Sequence, residues 1–239
     1  MEILSFSYRG TVVPIAFSRK RMRSVRLRVS PSGEVSLSAP FGFPEAEVRA
    51  FLEKHAAWLY RKWSEKKNRT NYMDIPFLSE SGETFFLGEK RRVVVLPRGE
   101  GGEPMGEKDF VVRTKAKDPT VLARLTERKL RACAEEVFFS LIERLMPLFE
   151  PWGVKRPALE IRKMRAKWGC CKCEEGIVVL NLHLIKASLD CVEYVVMHEL
   201  AHFLYRGHGA DFRAFMTRVM PDWRARKRRL NEGLPAREA

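Results

Sequence analysis

His198 and His202 stand four positions apart, with Glu199 beside the first and His208 shortly after the second. On a helix such positions share a face. Two imidazoles so placed can hold one divalent ion, and the glutamate between them can act on a water that the ion binds. Catalytic zinc commonly has three protein ligands and an open position, and His208 is the candidate third. Three of the chain's five histidines fall between positions 198 and 208, which argues against two incidental histidines on a buried helix. Asp211 competes for the third place, since some zinc hydrolases use an aspartate there. The spacing of His208 matches the three-histidine pattern, although Tyr205 stands where that pattern has glycine and no Met-turn is evident, so the chain does not read as a metzincin.

The ligands need a helix to hold them. Val192, Val195, Val196, Leu200, Phe203 and Leu204 form an apolar stripe at helical spacing over 190–205. Asp190 followed by Glu193 reads as an N-cap with its capping box. Gly207 and Gly209 read as the stop and tight turn that return His208 to the other two. Asp211 or Asn181 can orient a ligand imidazole from behind. Upstream, Val25, Leu27 and Val29 alternate with arginines, Pro31-Ser32-Gly33 marks a turn, and Val35, Leu37 and Ala39 resume the alternation, which predicts a hairpin. A helix is expected over 44–67, strands over 83–96 and 109–114, an exposed loop over 97–106 and a helix opened by Asp118-Pro119. Two further strands are expected over 158–165 and 177–182, joined by a loop at 167–173, with helices over 210–219 and 222–232. The fold class that follows is α+β. A β-rich N-terminal part with one helix (1–116) precedes a zincin-like helical catalytic part (117–239), with a small sheet beside the active helix.

Composition bounds the function. With 239 residues of which 45% are hydrophobic, a substantial core is affordable. No apolar run spans a membrane, and the N-terminus lacks the pattern of a signal peptide, so a cytoplasmic protein without membrane contact is expected. Cys170, Cys171 and Cys173 crowd one loop, with Cys133 and Cys191 elsewhere. An odd, clustered set argues against a disulfide framework. It also lacks the second pair of a zinc ribbon, so the three read as small, partly buried thiols of a turn. The formal net charge is +14, which favours anionic partners without choosing among them. Basic clusters occupy 19–28 and 213–229, and Arg162, Arg165 and Lys167 can meet an anionic substrate if their loop borders the cleft.

Longer stretches carry a resemblance. MRAKWGCC, IVVLNLHLI, YVVMHELAHFLYRGHGADF and MPDWRARKRRL, together with RKRMRSVRLRVSPSGEVSLSAPFGFPEAEVRAFLEKHAAWL near the start, resemble the YgjP-like metallopeptidase family, which is related in motif to SprT-like and WLM proteases. The resemblance implies a zinc-dependent hydrolase with one zinc ion on His198, His202 and His208 and with Glu199 as acid and base. A UTP pyrophosphatase activity has also been attached to that family. The chain departs from the family pattern at Lys167, where arginine is usual, at Cys170, where serine is usual, and at Arg213, where tryptophan is usual. Substrate contacts from those positions transfer less well than the ligands. Three functions are compatible with these features. One is a metallopeptidase acting on peptide or protein. A second is a pyrophosphatase acting on an anionic nucleotide, and a third is a protease associated with nucleic acid through its basic clusters.

Overall fold

Side chains that alternate between more and less covered positions build the first sheet, from β1 (Glu2–Tyr8), β2 (Thr11–Lys20), β3 (Arg26–Val29) and β4 (Val35–Pro40), with the buried positions on β2 and β4. The computed structural model that shows this describes residues 2–30, 33–67, 69–97 and 109–235. The strand order is β1-β2-β4-β3, with β2 and β4 parallel and the outer pairs antiparallel. Val13, Ile15 and Phe17 of β2 and Val35, Leu37 and Ala39 of β4 share the buried face, onto which Val48, Leu52, Leu59 and Trp63 pack. The hairpin expected around residue 30 is β3–β4, with Leu27 opposite Leu37. Pro31 and Ser32 of its expected turn, and residues 98–106 of the expected loop, lie outside the described residues. The helix expected over 44–67 is two, α1 (Glu45–Lys54) and α2 (Ala56–Lys67). The break is at His55, whose N–H is shared between the carbonyls of Phe51 and Leu52. A two-stranded ribbon joins β5 (Arg69–Thr70) to the C-terminal residues Leu234–Pro235.

By Cα packing, Met1–Asn71 with Asn231–Ala239 form one unit and Tyr72–Leu230 a second. The division expected near residue 116 falls inside the second unit. That unit begins with a sheet of β6 (Glu83–Phe86), β7 (Glu89–Leu96) and β8 (Asp109–Arg113). The single strand expected over 83–96 therefore folds back on itself, at Leu87 and Gly88, where φ is +49° and +87°. Two positive φ values make the tight turn that matches strand twist. Leucine in place of the usual Asn or Asp at its first position conceals it in the sequence. The Leu87 and Gly88 N–H groups donate to the carbonyls of Ile185 and Lys186 at 2.8 and 3.1 Å. A side chain at position 88 would bring its Cβ within 2.9 Å of the Ser188 Cα, so only glycine lets this tip dock.

The rest of the unit is organised by a long helix, α3 (Pro119–Leu145), whose N-cap Asp118 accepts from the Thr120 and Val121 N–H groups. It packs with β9 (Ala158–Arg162) and α4 (Leu189–Ala201), α4 in turn meets β10 (Gly169–Lys172) and β11 (Ile177–Asn181), and α5 (Ala210–Val219) and α6 (Trp223–Glu232) follow. Leu130, Phe138 and Ile142 of α3, Val178 and Leu180 of β11, and Val192, Val196 and Leu200 of α4 are fully enclosed. β11 lies between β9, its parallel partner, and β10, its antiparallel partner. Residues 169–172 are thus a strand and not the expected loop. Glycine and cysteine have modest strand preference, and pairing to the buried β11 overrides it. The architecture is α+β, a β-rich N-terminal part and a helical part with a small sheet beside α4.

Lys186, fully buried, ties residues 72–77 to the turn that follows β11. Its ammonium donates to the carbonyls of Ile75 and Tyr72 and to His183 Nδ1, and it sits 4.0 Å from the centre of the Phe77 ring. Burial pushes its pKa down to about 7, against the fields of Glu127 and Asp74; burial, and then Lys186 itself, pushes His183 down to about 4. An unfolded chain keeps the lysine proton up to about pH 10.4. Between the two values the unfolded state binds the extra proton, so stability rises with pH there and is lost as pH falls toward 7. The stability of the protein relative to a Lys186→Met variant is expected to climb from about pH 7 to about pH 10 and to be flat below, as read by chemical denaturation.

Candidate metal centre

α4 presents its last turn to a cleft. His198 and Glu199 belong to the helix, and His202 is its C-cap, still in helical conformation. His208 follows on the link to α5. The three imidazoles offer ligand nitrogens that all lie within 4.8 Å of one another, and His198 Nε2 is 2.9 Å from His208 Nε2. Tetrahedral ligands about 2.05 Å from zinc stand roughly 3.3 Å apart, so the observed separations bracket what one ion needs. The ring states suit a cation as well. His202 Nδ1 donates to the Tyr205 carbonyl at 2.9 Å, which leaves the Nε2 lone pair free. Burial, reinforced by His202 and His208, pushes the His198 pKa down to about 3, and burial and His202 lower that of His208. Neutral rings with free lone pairs are what a metal requires. Asp211 lies in the first turn of α5 and is not part of this group.

Glu199 is set apart from the ligand cluster. Its side chain turns to β10 and is 6% exposed. Burial pushes its pKa up to about 7, while the Cys171 backbone N–H, which donates to the carboxylate, and Lys167 pull it down. A Cβ on Gly169 would lie 2.8 Å from both Cγ and Oε1 of Glu199, so β10 can approach this closely only because residue 169 is glycine. The cleft, of about 680 Å³, is lined by Lys167, Gly169, Cys171, Glu199, Arg206 and the histidines. Among the described residues β10 is the edge of its sheet, with no strand partner on the side away from β11.

Several expected supports are placed differently. The capping box does not form: Ser188 is the N-cap, and Asp190 accepts from its hydroxyl at 2.5 Å. Asp190 and Glu193 instead clamp α6, Asp190 through Arg229 and Glu193 through Arg226 at 2.5 Å, with Arg144 on Glu193 at 2.8 Å. Two arginines of the 213–229 cluster are thereby engaged in internal ion pairs, and Arg213 donates to the His208 carbonyl at 2.9 Å. Asn181 does not orient a histidine. Its amide donates to the carbonyls of Met164 and Lys167, and its oxygen accepts from the Met164 and His183 N–H groups, which holds the segment leading into β10. Neither Gly207 nor Gly209 has positive φ, so the return of His208 needs no special backbone there. Lys167 does border the cleft, whereas Arg162 is paired with Glu160 at 2.5 Å.

Phe212 is the residue that motif reading did not single out. It is 1% exposed, and its ring stacks on His202 at 5.1 Å and meets His198 and His208 edgewise at 5.0 and 4.9 Å. It forms a floor under all three imidazoles. The available signal was its place one helical turn beyond His208, in the stretch that carries the resemblance. Phe212→Ala is expected to cost about 3–5 kcal/mol of stability. The milder Phe212→Leu should keep the fold and bind zinc more weakly, as read by thermal unfolding and zinc titration.

The model of the YgjP-like metallopeptidase domain matches residues 23–233. No curated protein sequence matches the chain. Among solved structures, the metallopeptidase zymogen abylysin of Pyrococcus abyssi is similar at 22% identity, over 38% of this chain and 86% of that one, with a TM-score of 0.33. Among the described residues, no helix is long and apolar enough to cross a membrane. The family match runs through the histidine trio, Glu199 and the β10 segment alike, and the chain belongs to the YgjP-like metallopeptidase family.

Proposed function

We propose that the protein is a zinc-dependent peptidase in which His198, His202 and His208 hold one ion and Glu199 carries the proton. The observation that carries this is the convergence of three imidazoles within 4.8 Å, beside a buried carboxylate. Zinc held there would supply Lewis acidity, polarising the scissile carbonyl and making water acidic near neutral pH. The chain's own residues do the rest. Glu199, its pKa raised by burial, can take a proton from the attacking water and return it to the leaving amine. The Cys171 N–H fixes the orientation of the carboxylate, and Tyr205 fixes the tautomer of His202. The free edge of β10 can pair with an extended peptide laid along the cleft.

Lys167 is the cation on the cleft wall that a triphosphate could meet, and the other basic side chains around the site are engaged. Lys172 is paired with Glu175 at 3.1 Å and Arg206 with Glu174 at 3.6 Å, and Arg226 and Arg229 of α6 are held by Glu193 and Asp190 of α4. The test offers zinc-loaded protein both an unstructured protein such as casein and UTP. Fragments from casein that vanish on chelation support the peptidase, whereas pyrophosphate from UTP with intact casein overturns it.

A further inference from the structure

We propose that Cys171 and Cys173 are a modification site, forming a reversible disulfide on the wall of the cleft when a hydroperoxide reaches them. Their sulfurs are 2.9 Å apart, nearer than ordinary contact between unbonded sulfurs and within about an ångström of a disulfide bond. Two features bring them together. Residues i and i+2 of a strand project to the same side, and Cys171 lies in β10. The chain then bends: the Glu175 N–H donates to the Lys172 carbonyl and the Gly176 N–H to that of Cys173, which turns Cys173 back toward Cys171. All five cysteines are free, with Cys173 exposed and Cys171 half-buried.

Exposure assigns the roles. The Cys173 sulfur attacks one peroxide oxygen and the O–O bond breaks, leaving a sulfenic acid and releasing water, or an alcohol if the peroxide is organic. The Cys171 sulfur then displaces hydroxide from the Cys173 sulfur, and the thiol proton leaves with it as water. Two thiols are oxidised by two electrons and the peroxide is reduced by two. The bond would form at a sensitive place. The Cys173 thiol donates to the His202 carbonyl at 3.2 Å, and the Cys171 N–H donates to Glu199. This inference depends on the thiols alone and stands or falls separately from the peptidase reading.

The test treats the full chain with hydrogen peroxide, blocks the remaining thiols, and digests after Lys172 without reductant. The expected result is a fragment ending at Lys172 and one beginning at Cys173 that stay joined, lack two hydrogens relative to their sum, and separate on reduction. Cys171→Ser should instead accumulate sulfinic acid at Cys173. Sulfinic acid at Cys173 of the unmodified sequence with no joined pair would overturn the proposal, and so would a bond from either thiol to Cys170.

Discussion

Glu199→Gln is expected to lower peptide hydrolysis by roughly 10²–10⁴-fold while leaving the bound zinc in place. Glutamine preserves the shape and can still accept from the Cys171 N–H, but it cannot carry a proton. The carboxylate lies outside the ligand cluster, so the ion should not notice the change. His202→Ala is the contrasting variant. It removes one ligand, together with the ring that stacks on Phe212, and should lose zinc and activity at once. Turnover and zinc content measured on both proteins separate the roles, and equal loss of zinc in the two would make Glu199 a ligand.

The second large effect is expected at a residue with no side chain. Gly169→Ala would place a methyl group 2.8 Å from Glu199 Cγ and Oε1, where no unbonded carbon can rest. Either the carboxylate or the strand must move, and a displacement of about an ångström in a catalytic group can cost 10²-fold in rate. β10 is an edge strand, so the fold should survive the adjustment. The expected outcome is a fall in kcat of about 10²-fold, with zinc content unchanged and the melting temperature moved by only a few degrees. Unchanged kcat would mean that the contact between Gly169 and Glu199 has no part in turnover.

The sequence displayed this site unevenly, for physical reasons. The histidines were readable because helical spacing alone puts i and i+4 on one face. The hairpin β3–β4 was readable because its alternation is local. β10 was hidden, since Gly169, Cys170 and Cys171 become a strand only by pairing with Leu180, Val179 and Val178, a non-local event. The Leu87-Gly88 turn was hidden by an atypical residue at positive φ. Asp190 and Glu193 had the right types and spacing for a capping box, yet arginines of α6, some 35 residues downstream, compete for the same carboxylates. A charge-assisted ion pair outweighs a neutral backbone contact, and local pattern cannot register that competition. Phe212 shows the same limit. A buried aromatic on a short helix is ordinary in sequence, and its role under three imidazoles exists only once α5 is folded back against α4.

Diffraction at the zinc absorption edge from crystals of the zinc-loaded protein tests the histidine trio most directly. One anomalous peak is expected, about 2.0–2.1 Å from a ring nitrogen of each of His198, His202 and His208, with the Glu199 oxygens outside bonding distance. A peak on the Cys171 and Cys173 sulfurs, or one that leaves His208 uncoordinated, would contradict it.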